Sequence, residues 1–115
     1  MRVVVTGGRD YADHAHVGNV MHKIDEMQDA DEDLTLICGM ARGADMLAHG
    51  WARWLGWHVE EFHANWKAHG RAAGRIRNQA MIDAKPDLCI AFPGGAGTAD
   101  MLKRVKRAGI RIFED

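Results

Sequence analysis

One pattern recurs three times in this chain: a short apolar or β-branched run, a glycine-rich turn, and a segment with helical spacing. Arg2–Thr6 leads into Gly7-Gly8-Arg9-Asp10. Leu34–Cys38 leads into Gly39-Met40-Ala41-Arg42-Gly43-Ala44-Asp45. Asp87–Phe92 leads into Pro93-Gly94-Gly95-Ala96-Gly97-Thr98-Ala99-Asp100, and Met101–Lys106 carries on at helical steps. Runs that are apolar without alternation suit strands buried on both faces, which is what a parallel sheet covered by helices requires. Right-handed crossovers then place every strand-to-helix turn on one edge, the carboxyl end of the sheet. The expected fold is therefore α/β: a Rossmann-like three-layer α/β/α sandwich around a mostly parallel sheet of about five strands. Three turns far apart in sequence are expected to meet in space, where ligands bind such sheets.

The intervening segments complete the alternation. Val17, Val20, Met21, Ile24 and Met27 recur at three- and four-residue steps, predicting a helix from about Asp13 to Met27 with these on its apolar face. The acidic run Asp29-Ala30-Asp31-Glu32-Asp33 reads as a solvated connection. A second helix is expected over 44–55, with Met46, Leu47, Trp51 and Trp54 or Leu55 turned to the core and Gly56 ending it. Trp51, Trp54 and Trp57 are all expected in the core. Trp57–Phe62 alternates and predicts a third strand, and the polar stretch His63–Arg71 shows little periodicity. Helices follow from Ala72 to Ala84, ended by Lys85-Pro86, and then to about Ala108, ended by Gly109. Ile110–Phe113 predicts a last short strand.

Length and charge narrow the function. A chain of 115 residues is read as one domain over 1–115, with room for a core. A net charge of −1 argues against a strong non-specific nucleic-acid binder. No stretch is long and apolar enough for a membrane span, and Met1 runs straight into a strand, so a cytoplasmic protein without a membrane partner is expected. Cys38 and Cys89 lie in strand-like runs and read as buried apolar residues rather than a disulfide. Seven histidines show no ligand spacing, and no metal site or cofactor is expected. There is no P-loop, no G-x-G-x-x-G after the first strand and no serine, which removes the usual dehydrogenase and serine-nucleophile readings.

What remains suits a phosphorylated, nucleotide-like ligand. Thr6, Gly7, Gly8, Gly39, Gly43, Gly94, Gly95, Gly97 and Thr98 offer backbone and hydroxyl donors, without a Cβ at the glycines to keep an anion away. Thr98 is a donor or a first-turn cap. Arg9 and Arg42 offer guanidinium forks. Asp10, Asp45 and Asp100 offer acceptors for a ribose hydroxyl or a general base; Asp45 and Asp100 equally suit first turns of helices, where a carboxylate meets the helix dipole. Arg77 and Asn78 lie within reach of the same edge, and Trp66 in the irregular stretch could stack on a base. His63–Gly70 reads either as a lid or as an ordinary connection. His49 reads as structural.

Four segments together resemble the SLOG superfamily, the Rossmann-like group joining the Smf/DprA DNA-processing proteins and the LONELY GUY (LOG) phosphoribohydrolases. Its short YspA/YpsA-related branch is the most similar. Thr6-Gly7-Gly8-Arg9-Asp10-Tyr11 is similar to that branch's opening motif. Gly39-Met40-Ala41-Arg42-Gly43-Ala44-Asp45-Met46-Leu47-Ala48-His49 is similar to the G-[LM]-A-R-G-x-D-x-x-A-H signature of the DNA-processing proteins. Pro93–Thr98 is similar to the LOG-type P-G-G-x-G-T, and Arg77-Asn78-Gln79-Ala80-Met81 to the LOG R-K-x-x-M.

The resemblance implies a nucleotide or nucleotide-derived ligand held by its phosphate at the Pro93–Thr98 loop. The family's alternatives are cleavage of a nucleotide N-glycosidic bond and binding of single-stranded DNA. For cleavage, the LOG arginine matches Arg77 as a catalytic candidate, but the LOG glutamate falls on Met101. Asp100 is the substitute, one residue earlier and about 100° around a helix. Arg71, Arg75, Arg77, Lys103, Arg104, Lys106 and Arg107 could serve DNA, a reading that near-neutral charge disfavours. Four tryptophans and seven methionines in a small chain point to a homo-oligomer, a dimer or larger. The first expectation is a binding module, a sensor or sequestering protein.

Overall fold

The computed structural model describes residues 1–29 and 31–113. Five strands form one sheet: β1 (Arg2–Thr6), β2 (Thr35–Cys38), β3 (His58–Glu61), β4 (Leu88–Ala91) and β5 (Arg111–Phe113). Their spatial order is β3-β2-β1-β4-β5, and every neighbouring pair is parallel. The chain thus winds outward in one direction from β1 through β2 to β3, then returns to the other side of β1 for β4. The direction of winding reverses between β1 and β4, so a crevice opens at the carboxyl ends of those two strands.

Helices α1 (His14–Met27) and α2 (Ala44–Leu55) cover one face of the sheet, and α4 (Ala73–Asp83) and α5 (Ala96–Arg107) the other. The two-residue period of the strands sorts β1 between two cores. Val3 and Val5 pack with Val17, Met21, Ile24 and Ala48, whereas Val4 packs with Met81, Ile82, Met101 and Val105. The expected three-layer α/β sandwich is therefore the fold, with the sheet wholly parallel.

Several local expectations need correction. His63–Arg71 is not irregular: α3 (Trp66–His69) forms there, capped by the Asn65 side chain accepting from the Ala68 N–H at 3.1 Å, and a 3-10 turn over Gly70–Ala72 joins it to α4. Trp54 is 75% exposed and Met46 41% exposed, so neither serves the core. Trp51, half-buried beside Gly18, and Leu55 take that side of α2. Met27, the last residue of α1, is also exposed. Helix α5 begins at Ala96, inside the glycine loop, with Gly95 at its N-cap. Thr98 therefore lies within the helix and does not cap it, and Asp100 lies beyond the first turn. In the acidic run, Ala30 lies outside the described residues.

Asp13 caps α1, its Oδ1 accepting from the His16 N–H at 3.0 Å. Gly56 ends α2 in the left-handed region at φ +82°. Cys38 and Cys89 are buried and unpaired, and burial pushes both thiols up to about 12, as their strand positions suggested. Among the described residues no helix is long and apolar enough to cross a membrane.

Candidate functional site

The three glycine loops meet at the carboxyl edge. The Gly8 N–H donates to the Pro93 carbonyl at 2.8 Å, and the Ala44 N–H donates to the Gly8 carbonyl at 3.2 Å, so the first loop is held by both others. Such closeness leaves no space for side chains. A Cβ at Gly94 would lie 2.6 Å from the Gly8 nitrogen. Gly43 adds a left-handed φ of +88°, with its Cβ position 2.6 Å from the Arg9 carbonyl carbon. Tyr11 stacks on Phe92 with ring centroids 5.3 Å apart, a further link between the first and third loops.

Over the crevice between β1 and β4 lies a cleft of about 890 Å³. It takes in Thr6, Gly7, Gly8, Arg9 and Asp10 of the first loop, Gly94, Gly95, Gly97, Thr98 and Asp100 of the third, and Asp45, Trp66, Arg77 and Asn78 from elsewhere. Gly39 and Arg42 lie outside it, lining a smaller cavity of about 360 Å³ that shares Arg9, Ala41, Trp66 and Arg77 with the cleft. Gly43 reaches neither; it packs against the backbone of Gly8 and Arg9. The second loop thus supports the cleft more than it lines it.

Arg71 and Arg75 are cleft residues that reasoning from the sequence had placed only among surface charges. A signal for them existed. Arg71, Arg75 and Asn78 are three or four residues apart and all line the cleft, so one helical face there is polar where a core face would be apolar.

The electrostatics fall into three parts. Helix α5 points its N-terminus at the cleft with no side-chain cap, and Gly95 and Gly97 have open space where a Cβ would sit. Its first N–H groups have no partner within the helix, and the dipole adds roughly half a positive charge there. Four arginines, Arg9, Arg71, Arg75 and Arg77, line the same space. Arg77 is fixed, donating from Nη1 to the Gly39 carbonyl at 2.9 Å and from Nε to Asn78 Oδ1 at 3.3 Å. Arg42 spans the loops differently, donating to the Arg9 carbonyl at 3.2 Å and pairing with Asp10 at 2.9 Å.

The carboxylates differ in state. Asp45 is buried in the first turn of α2, and burial raises it to about 6, against the Ala41 N–H that it accepts at 3.3 Å and the nearby Arg77 charge. Asp100 goes the other way: Arg104 holds it in a two-pronged pair at 2.9 and 3.2 Å, and Asn78 donates to it at 3.0 Å, which lowers its proton affinity. At neutral pH Asp100 is an ionised acceptor with most of its lone pairs engaged. Met101, at the position of the LOG glutamate, is buried in the core beneath α5 and faces away from the cleft.

A model of the YspA, cpYpsA-related SLOG family matches residues 1–69, the span that holds the first two glycine loops. Over 97% of its length the chain is also 38% identical to the gene 61 protein of Mycobacterium phage D29, covering 94% of that protein. The chain belongs to the YspA, cpYpsA-related SLOG family.

Solved structures agree on the SLOG fold. DNA processing protein A (DprA) from Streptococcus pneumoniae superposes with a TM-score of 0.78 at 17% identity over 97% of this chain. The chain spans about half of that protein, 49% of its length. The structural-genomics target TM1055 superposes with a TM-score of 0.71 at 16% identity, covering 96% of this chain and 71% of that one. At such identities the likeness is one of fold.

Proposed function

We propose that this SLOG protein binds a nucleotide or nucleotide-derived phosphorylated ligand in the cleft between β1 and β4, as a sensor or sequestering module. The observation that carries the reading is the meeting of an uncapped α5 N-terminus with four arginines in one cleft. A phosphate at Gly95–Thr98 takes up free N–H groups, and its remaining charge is met by guanidinium forks. Trp66, half-exposed at the cleft's rim, offers a face to a base. Thr6 is a buried polar side chain lining the cleft, suited to a ribose hydroxyl, and Asn78 holds Asp100 and Arg77 in place beside it. Met27, Met46 and Trp54, exposed in the α1–α2 layer, support a homo-oligomer as the working form.

A hydrolytic reading has one observation in its favour. Asp100 lines the cleft and stays ionised, so it could stabilise positive charge developing on a sugar, with Arg77 holding the substrate. Its pair with Arg104 leaves it less free than a glutamate on the cleft would be.

A thermal-shift screen of nucleoside monophosphates, NAD and ADP-ribose tests the binding reading. A ligand at a hundredfold its Kd adds about 2.7 kcal/mol, a visible shift, and Gly95→Asp should remove it. No stabilisation by any of them overturns the reading, and a salt-sensitive mobility shift on single-stranded DNA would replace it with nucleic-acid binding. Release of free base from a bound nucleotide, lost in Asp100→Asn, would establish the hydrolytic reading.

A further inference from the structure

The smaller cavity beside the cleft has its own chemistry. Arg9, Arg42, Arg77 and His63 line it together with Gly39–Ala41. No carboxylate lines it; of the acids that touch its lining residues, Asp10 pairs with Arg42, Glu61 with His63, and Asp45 accepts from the Ala41 N–H. The cleft, by contrast, holds three aspartates among its arginines.

Two of these guanidinium groups, Arg9 and Arg77, line both cavities. Arg77 is anchored at Nε and Nη1. Burial pushes Arg77 down, and the charge of Arg9 adds to that, against the pull of Asp45. Arg9 lies over the Trp66 ring, 5.5 Å from its centre, with its guanidinium common to both cavities. Trp66 is itself braced on α4, where a Cβ at Gly74 would touch its ring at 3.6 Å. Two like charges held beside one another on fixed supports gain most from an anion that both can contact.

We infer that the 360 Å³ cavity lined by Arg9, Arg42 and Arg77 is a second phosphate subsite, so that the ligand carries two separate phosphate groups. The inference rests on the nucleotide-binding reading of the cleft. One phosphate sits at the α5 N-terminus. The other lies behind Trp66, and the body of the ligand crosses the space that the two cavities share. A nucleoside bisphosphate or a dinucleotide has this chemistry, and a nucleoside monophosphate fills only the first subsite.

Calorimetric titration of the full chain decides it. The probes are the four nucleoside 5′-monophosphates and the matching 3′,5′-bisphosphates. A two-phosphate probe should bind about tenfold tighter than its monophosphate or better, the worth of one added charge-assisted contact set. Arg9→Ala should lower the two-phosphate affinity by about tenfold and the monophosphate affinity by markedly less. Arg9→Lys, which keeps the charge and loses the fork, should give an intermediate loss. Equal affinity for monophosphates and two-phosphate probes overturns the second subsite and leaves the cleft reading standing. Equal losses in Arg9→Ala for both probe classes also overturn it. Failure of every probe, with the protein folded by circular dichroism, overturns both.

Discussion

The Gly8 N–H donates to the Pro93 carbonyl at 2.8 Å, tying together two loops 85 residues apart in the chain. That bond crosses the point where the sheet reverses its winding. It sets how closely the first and third glycine loops approach, and so the floor of the cleft that both line.

Gly94→Ala therefore puts a methyl group where none fits. Its Cβ would lie 2.6 Å from the Gly8 nitrogen and 2.8 Å from Thr98 Cβ. Chemical denaturation should show a loss of about 1–3 kcal/mol.

Gly97→Ala should separate stability from binding. Nothing lies within 4 Å of its Cβ position, and the residue sits in a helix with an ordinary φ. Removing a helical glycine should stabilise the fold by about 0.5–1 kcal/mol. The new methyl group faces the cleft, so ligand affinity should fall while the melting temperature rises.

Gly18→Ala tests the packing of α1 on α2. Its Cβ position is 2.5 Å from Trp51 Cζ2, and Trp51 is pinned by its Nε1 donating to the His14 carbonyl at 3.2 Å. Although alanine is the better helix former, the substitution should cost about 1–3 kcal/mol and shift the Trp51 fluorescence.

Asp45 should leave a mark on the pH dependence of stability. Its folded value of about 6 lies above its ordinary value near 4. The folded state thus favours the protonated form, and the stability this group contributes is full below about pH 4 and lost as pH rises through 6. The wild-type minus Asp45→Asn difference in unfolding free energy should become more unfavourable to the wild type from pH 4 to pH 7. Its size is on the order of 2–3 kcal/mol at neutral pH. Asp100 contributes with opposite sign: its lowered value gives stability present above about pH 4 and lost in more acidic solution.

Sheet and loops were legible in the sequence because their signals are local. Val3–Val5, Leu36–Cys38 and Leu88–Ile90 are continuous apolar runs, and each is followed by glycine, so the parallel sheet and the meeting of the loops followed from handedness alone. The exposure of Trp54 was not legible. An apolar residue on a helix of apolar composition carries no mark of which side the sheet occupies. Arg71 and Arg75 were hidden for the opposite reason. Their face is polar, so a search for apolar spacing passed over it, and the Asn65 cap that starts the segment was the only conventional sign. The engagement of Asp100 by Arg104 was within reach, since four residues separate them on one helix. That Met101 turns inward follows from the same helix, whose buried stripe is Thr98, Met101 and Val105.

The most direct measurement is an amide NMR titration of the 15N-labelled protein with nucleoside 5′-monophosphates. Binding at the α5 N-terminus should move the amide signals of Gly95, Ala96 and Gly97 along a single saturable curve, with Gly94 and Gly8 beside them. The amides of Gly50 and Gly56, at the far side of α2, should stay in place. Unmoved Gly95–Gly97 signals across the whole panel, or saturable shifts confined to α1 and α2, would contradict nucleotide binding in the cleft.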